Sequence, residues 1–243
     1  MNGRLTTGGG LLLALSLLVA TGCAPTLQSN QDELLGRAKR LQTIAMLTPD
    51  TSISEVSAGG VKEKRDDWSA AGRNNVEQAF IEQLRAKQVA IKVIRPTNGL
   101  EDEADEIKAL HRAVMDSVYS HAYYWGGQNP NFFPERMQQF DYSLGSLERL
   151  LKKQKADGLV LVHARDEIST AGRKALRVVQ AINPFAVAEQ GGTTVVEVSL
   201  ADRTGAILWN AFFAESGGYD LRDPASARAF VAKLLNDFPA GGR

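Results

Sequence analysis

Apolar residues are spread unevenly along the chain, and their spacing divides it into a leader, a polar joint and a folded body. Residues 11–20, LLLALSLLVA, form a ten-residue apolar run behind a start bearing one charge, Arg4. That length matches the roughly 7–15 residues of a signal-peptide core and falls short of the ~20 that span a bilayer. Residues 24–31 are polar, include Pro25 and read as a short tether. A brief helix is expected over 32–41, then a strand over 43–47, TIAML, closed by Thr48-Pro49-Asp50. The polar stretch 51–65, with Gly59-Gly60 and the start of a charge cluster that runs from Lys62 to Asp67, reads as a long loop. Loops of that length are either functional or mobile.

Helical spacing takes over at 69–87, where Val76, Phe80, Ile81 and Leu84 form one stripe. Residues 89–94, VAIKVI, are a strand ended by Pro96. Strand, helix and strand in this order predict a right-handed βαβ crossover and a parallel pair. The acidic run 101–106 opens a second helix, whose amino end carries the partial positive charge that acids complement. Ile107, Leu110, Val114, Met115 and Val118 are its expected buried stripe. Residues 119–142 then gather Tyr119, Tyr123, Tyr124, Trp125, Phe132, Phe133, Phe140 and Tyr142 around Gly126-Gly127 and two prolines.

A short helix is expected over 146–155, with Leu147, Leu150 and Leu151 inward, and a central strand over 158–164, GLVLVHA. Residues 173–188 fit either a strand with a turn at Asn183-Pro184 or a short helix broken there. Strands over 194–200 and 206–213 face each other across a turn in which Gly205 takes the left-handed conformation. Asp223 then caps a helix with Pro224 in its first turn, and Ala227, Phe230, Val231, Leu234 and Leu235 supply its apolar face. The expected fold is α/β: a mixed sheet with an amino-terminal βαβ unit, helices packed on it, and a carboxyl-terminal β-hairpin plus helix.

Composition narrows the classes. Hydrophobic content of 44% is that of a folded body, and 28 basic against 28 acidic residues leave no net field to draw nucleic acid or anionic lipid. The one cysteine, Cys23, follows Ala20-Thr21-Gly22 at the end of the apolar run. Small residues followed at once by cysteine resemble the lipobox of bacterial lipoproteins. That resemblance implies a diacylglyceryl group on the Cys23 sulfur, cleavage before it, and acylation of the new amino terminus with a palmitate-like chain. Only a thiol among side chains is nucleophilic enough for such alkylation, and two or more chains anchor where one holds marginally. Ala24, in the place where an aspartate would retain the protein at the inner membrane, implies the outer membrane, facing the periplasm. The expected organisation is therefore a signal peptide over 1–22, a lipidated tether over 23–31 and a single periplasmic α/β domain over 32–243. With Cys23 acylated, no thiol remains for a disulfide, a metal or catalysis.

Candidate chemistry elsewhere is sparse. His111 and His121 are ten residues apart, unlike the i, i+4 pairs that chelate zinc, and His163 in the central strand reads as a hydrogen-bonded structural residue. No nucleophile elbow or phosphate-cradling glycine loop occurs, so neither metal nor cofactor is expected. Asp102, Glu103, Asp105 and Glu106 read as a solvated helix start rather than as general acids. Arg165, Asp166 and Glu167, with Arg173 nearby, read as a salt-bridged loop or as the lining of a pocket at the central strand's carboxyl end.

The element order, together with the hairpin VVEVSLADRTGAILW over 195–209, resembles a family of small periplasmic lipoprotein domains. That family includes the curli-secretion lipoprotein CsgG and the polysaccharide-export lipoprotein PelC, and the amino-terminal domain of TolB is similar. The long 119–142 segment departs from its simplest members. The resemblance implies a non-catalytic accessory in envelope assembly, secretion or polysaccharide export. Tyr123, Tyr124, Trp125, Phe132 and Phe133 read either as core, where the segment folds back on its own domain, or as the contacts to envelope proteins or to further copies of the chain, since aromatics favour such surfaces. The alternatives are a glycan- or peptidoglycan-binding lipoprotein using the same aromatics, and a periplasmic hydrolase using His163, Arg165 and Asp166.

Overall fold

A computed structural model of the chain describes residues 30–97, 99–123, 139–172 and 192–239, and its seven strands form one mixed sheet. The elements run α1 (Gln31–Lys39), β1 (Ile44–Leu47), β2 (Asp50–Val56), β3 (Lys62–Lys64), α2 (Asp66–Ala86), β4 (Ile91–Ile94) and α3 (Glu101–Val118). After the π-helical turn Tyr119–Tyr123 come α4 (Glu148–Gln154), β5 (Gly158–Ser169), β6 (Thr193–Asp202), β7 (Ile207–Ser216) and α5 (Pro224–Leu234). This is the expected α/β architecture, including the parallel β1 and β4 joined through α2, the carboxyl-terminal hairpin and the closing helix.

The central strand is β5, and it is longer than its apolar half. Its first residues pair in parallel with β1, from Ile44↔Gly158 to Met46↔Val160. Its later ones pair in parallel with β2, from Asp50↔His163 to Val56↔Ser169. The opposite edge carries β6 from Gly158↔Asp202 to Asp166↔Thr194, so β1 and β2 share one edge as a single interrupted column. Between the paired positions, residues 47–49 of the column face only 161–162 of β5. The extra residue makes a bulge at Thr48-Pro49, a place where proline's missing N–H costs the ladder nothing.

Residues 51–65 are thus not the long loop that their polarity suggested. Thr51 and Ile53 are buried while Asp50, Ser52 and Ser54 are half-buried, an alternation of period two. β3 pairs antiparallel with β2 at Ser54↔Lys64, and only 57–61 form the turn between them. Hydroxyl-bearing residues replaced the aliphatics that mark a strand, but backbone pairing on both edges of β2 decides its conformation.

Alternation gives the sheet two faces. Val160, Val162, Ala164 and Asp166 point to one side, where α2 lies so close to β2 that a Cβ on Gly72 would stand 2.5 Å from Ile53 Cδ1. α5 packs on the same side, Phe230 meeting Phe213 with ring centroids 5.2 Å apart. Leu159, Leu161, His163 and Arg165 point to the other side, which α3 crosses. Ile107, Met115 and Val118 of α3 are buried as expected, but Leu110 is 42% exposed and His111 takes its place. Ala104, Ile107, His111, Met115 and Val118 lie on one stripe centred on His111, and the preceding residue is turned about 100° away. At Gly205 the φ of +85° is the left-handed conformation the hairpin turn requires.

Candidate functional site

The β5–β6 register builds a row of polar side chains on the face that α3 covers. It sets His163 opposite Glu197 and Leu161 opposite Ser199. Glu197 is 1% exposed and sits inside the apolar run of β6, so its charge must be met within the protein. The His163 Nδ1–H donates to it at 3.1 Å and the Arg165 guanidinium at 3.3 Å. In register with His163 on the next column, Asp50 pairs with Arg112 of α3. Deeper in, His111 Nε2 lies 2.9 Å from Ser199 Oγ, which donates onward to Met115 Sδ at 3.1 Å. The serine hydroxyl can donate once, so the imidazole N–H is the donor of the first bond. Burial, and after it the nearby His163, hold the His111 pKa down at about 3, so the ring is neutral. The row ties α3 to β2 through Arg112 and Asp50 and to β6 through His111 and Ser199, where apolar contact alone would leave its rotation free.

Arg165, Asp166 and Glu167 do not line one pocket. β5 runs on to Ser169, so all three are strand residues rather than a loop, and alternation sends Asp166 to the opposite face from its neighbours. Glu167 pairs with Lys62 of β3 at 2.5 Å. Asp166 is buried, accepting from Thr194 Oγ1 at 2.8 Å and from the Leu221 N–H at 2.9 Å, and so fixes the connection between β7 and α5. Its pKa rises to about 6, chiefly from burial, against the opposing pull of those two donors. Beside it Arg222 chelates Asp220 at 2.7 Å, and both Arg222 and Arg65 lie over the ring of Trp68, at 4.1 and 4.4 Å.

Other candidates behave as the polar pattern implied. Asp102, Asp105 and Glu106 are exposed at the start of α3, and Glu103 pairs with Arg149 of α4 at 3.2 Å. His121 Nδ1 lies 3.2 Å from Ser117 Oγ and 3.3 Å from the Tyr142 hydroxyl. The described aromatics at the two ends of 119–142 are packed: Tyr119 lies on Phe212 with centroids 4.4 Å apart, and buried Phe140 meets Tyr142 at 5.0 Å. Tyr123 closes the π-helical turn, while Tyr124, Trp125, Phe132 and Phe133 lie outside the described residues, as do Cys23, Arg173 and the whole of 173–188.

One feature escaped the sequence. At the amino ends of β1 and β4 a cavity of about 540 Å³ opens between the end of α1, residues 88–90 and Pro239. Its walls come from three segments, 38–44, 88–90 and Pro239, far apart in the chain, and local periodicity carries no trace of it. Among the described residues no helix is long and apolar enough to cross a membrane. No protein-family model matches the sequence, and no curated protein is similar to it.

Proposed function

We propose that the protein is a lipoprotein of the outer membrane, facing the periplasm, which acts without catalysis as an accessory in envelope assembly, secretion or polysaccharide export. The observation that carries this is the apolar leader ending in Ala20-Thr21-Gly22-Cys23, with seven residues between that cysteine and the first helix at Gln31. Seven residues span at most about 25 Å. A lipid on Cys23 then holds the α1 side of the domain near the bilayer and sets the height of everything beyond it. In this account the chain works by position: the lipid fixes place and orientation, and the sheet supports a surface. Tyr123, Tyr124, Trp125, Phe132 and Phe133 are the proposed contacts, to envelope proteins or to other copies of the chain. The likeness of the element order to the CsgG and PelC type of domain supports the same role.

The test is crosslinking in intact cells, with identification of the captured proteins, for the natural chain and for Trp125→Ala plus Phe132→Ala. The proposal expects normal levels and folding of the variant with loss of captured envelope proteins. An unfolded variant would make the two aromatics core, and unchanged capture would remove them from the interface. Retention by immobilised peptidoglycan or exopolysaccharide, lost with Trp125, would favour the glycan-binding alternative.

A further inference from the structure

The cavity at the base of the sheet has an apolar floor and a cationic rim. Ala38, Ile44 and Val89 are buried beneath it, whereas Lys39, Arg40, Gln42 and Gln88 are exposed around its mouth. None of its ten lining residues is acidic. Arg37, one turn back along α1, is met by Asp202, yet Lys39 and Arg40 form no ion pair among the described residues. Gln88 stands on the rim with φ +61°, a left-handed conformation that side-chain-bearing residues adopt at a cost. The floor alone would describe an ordinary crevice. Two unmatched cations beside two amide side chains describe a site for an anion bearing several acceptor oxygens.

Position chooses the anion. α1 is nine residues long, about 14 Å, and joins the tether at one end and this rim at the other. A domain of this size is about 40 Å across. A 25 Å tether therefore allows only the α1 side to touch the membrane. We propose that this cavity is the surface on which the domain rests against its own bilayer, Lys39 and Arg40 taking the phosphate of an anionic phospholipid headgroup and Gln42 and Gln88 donating to its oxygens. The proposal rests on lipidation at Cys23. It does not conflict with the balanced charge of the whole chain, because a headgroup senses charges within about a Debye length, roughly 10 Å, and not the sum. Docking here would fix the rotation of the domain, which a tether alone leaves open, and would turn the far end of β5 toward the periplasm.

The test uses the full lipidated chain in vesicles of phosphatidylethanolamine mixed with phosphatidylglycerol, or with phosphatidylcholine in its place, each carrying a nitroxide on some headgroups. Because Cys23 is acylated, a fluorophore can be placed on Ala86→Cys beside the cavity or on Ala58→Cys in the β2–β3 turn at the other end of the sheet. The proposal expects strong quenching at position 86, little at 58, and loss of the contrast on phosphatidylcholine. Each basic side chain near a charged surface strengthens binding roughly 5-fold, so Lys39→Gln plus Arg40→Gln should shift the docked ratio on the order of 30-fold and abolish the contrast. Equal quenching at the two positions, or a contrast indifferent to headgroup charge or to the double substitution, overturns the docking while flotation with vesicles still upholds the anchor. A natural chain that does not float with either vesicle overturns both.

Discussion

Gly72 allows the packing of α2 on β2 to be tested to within about 1 kcal/mol. A Cβ there would stand 2.5 Å from Ile53 Cδ1 and 3.4 Å from Ile53 Cγ1 and Thr51 Cγ2. Alanine is worth up to ~1 kcal/mol more than glycine inside a helix, whereas overpacking a filled site costs ~1–3 kcal/mol. Gly72→Ala should therefore destabilise the chain by about 1–2 kcal/mol. Ile53→Val removes the Cδ1 that makes the close contact and, at a fully buried site, should cost ~0.5–1.5 kcal/mol by itself. In that background the next contacts are at ordinary separation, so Gly72→Ala should become neutral or stabilising by up to ~1 kcal/mol. The interaction between the two sites is then on the order of 2 kcal/mol, well above the few tenths expected of independent positions. Urea unfolding of the four proteins, full chains in a mild detergent followed by circular dichroism, reads it directly. An equal cost of Gly72→Ala in both backgrounds would refute the packing. It would return residues 51–65 to the loop their polarity suggests.

Two buried ionisable groups should shape the acid side of the stability curve in opposite senses. Asp166 has its folded pKa raised to about 6 from 3.8, so its contribution is fully present below pH 4 and is lost as pH rises to 6, on the order of 3 kcal/mol in all. Subtracting the curve of Asp166→Asn from that of the natural chain should show this fall, and a flat difference between pH 4 and 6 would contradict the burial. His111 has its folded pKa lowered to about 3 from 6.5, so its contribution holds above pH 6.5 and is lost as pH falls toward 3, on the order of 5 kcal/mol. Its imidazole NMR shifts should stay those of a neutral ring down to the acid unfolding transition; titration near pH 6.5 in the folded state would contradict the burial of the ring beneath α3. Asp223 accepts from the Ser226 N–H at 2.9 Å, and Asp223→Ala should cost ~1 kcal/mol by thermal unfolding, with Asp223→Ser close to natural.

Where burial alone decides conformation, the pattern was legible. The stripes of α2 and α5, the apolar half of β5 and the hairpin with its glycine turn all follow from spacing and turn chemistry. Legibility failed where backbone pairing outranks side-chain character. β2 is written in Thr and Ser, and the outer half of β5 in Arg165, Asp166 and Glu167, yet each is held between two neighbouring strands. The exchange of Leu110 for His111 has another cause, since a polar ring can be buried when Ser199 on a distant strand meets it. Glu197 was the signal most open to discovery: a carboxylate within VVEVSL, on a strand expected to lie against one carrying His163, calls for a cation across the pair. The cavity beneath Lys39 and Arg40 has no sequence signature because its walls meet only in the fold. The leader and Cys23 are in the opposite position, legible in the sequence and outside the described residues.

Location, orientation and the proposed role all hang on the chemistry of one sulfur. Intact-mass and peptide mass spectrometry of the protein taken from envelope fractions measures it directly. The account predicts a chain beginning at Cys23, carrying a thioether-linked diacylglyceryl group and an acylated amino terminus. A chain that keeps residues 1–22, or one with a free Cys23 thiol in a freely diffusing form, would contradict it.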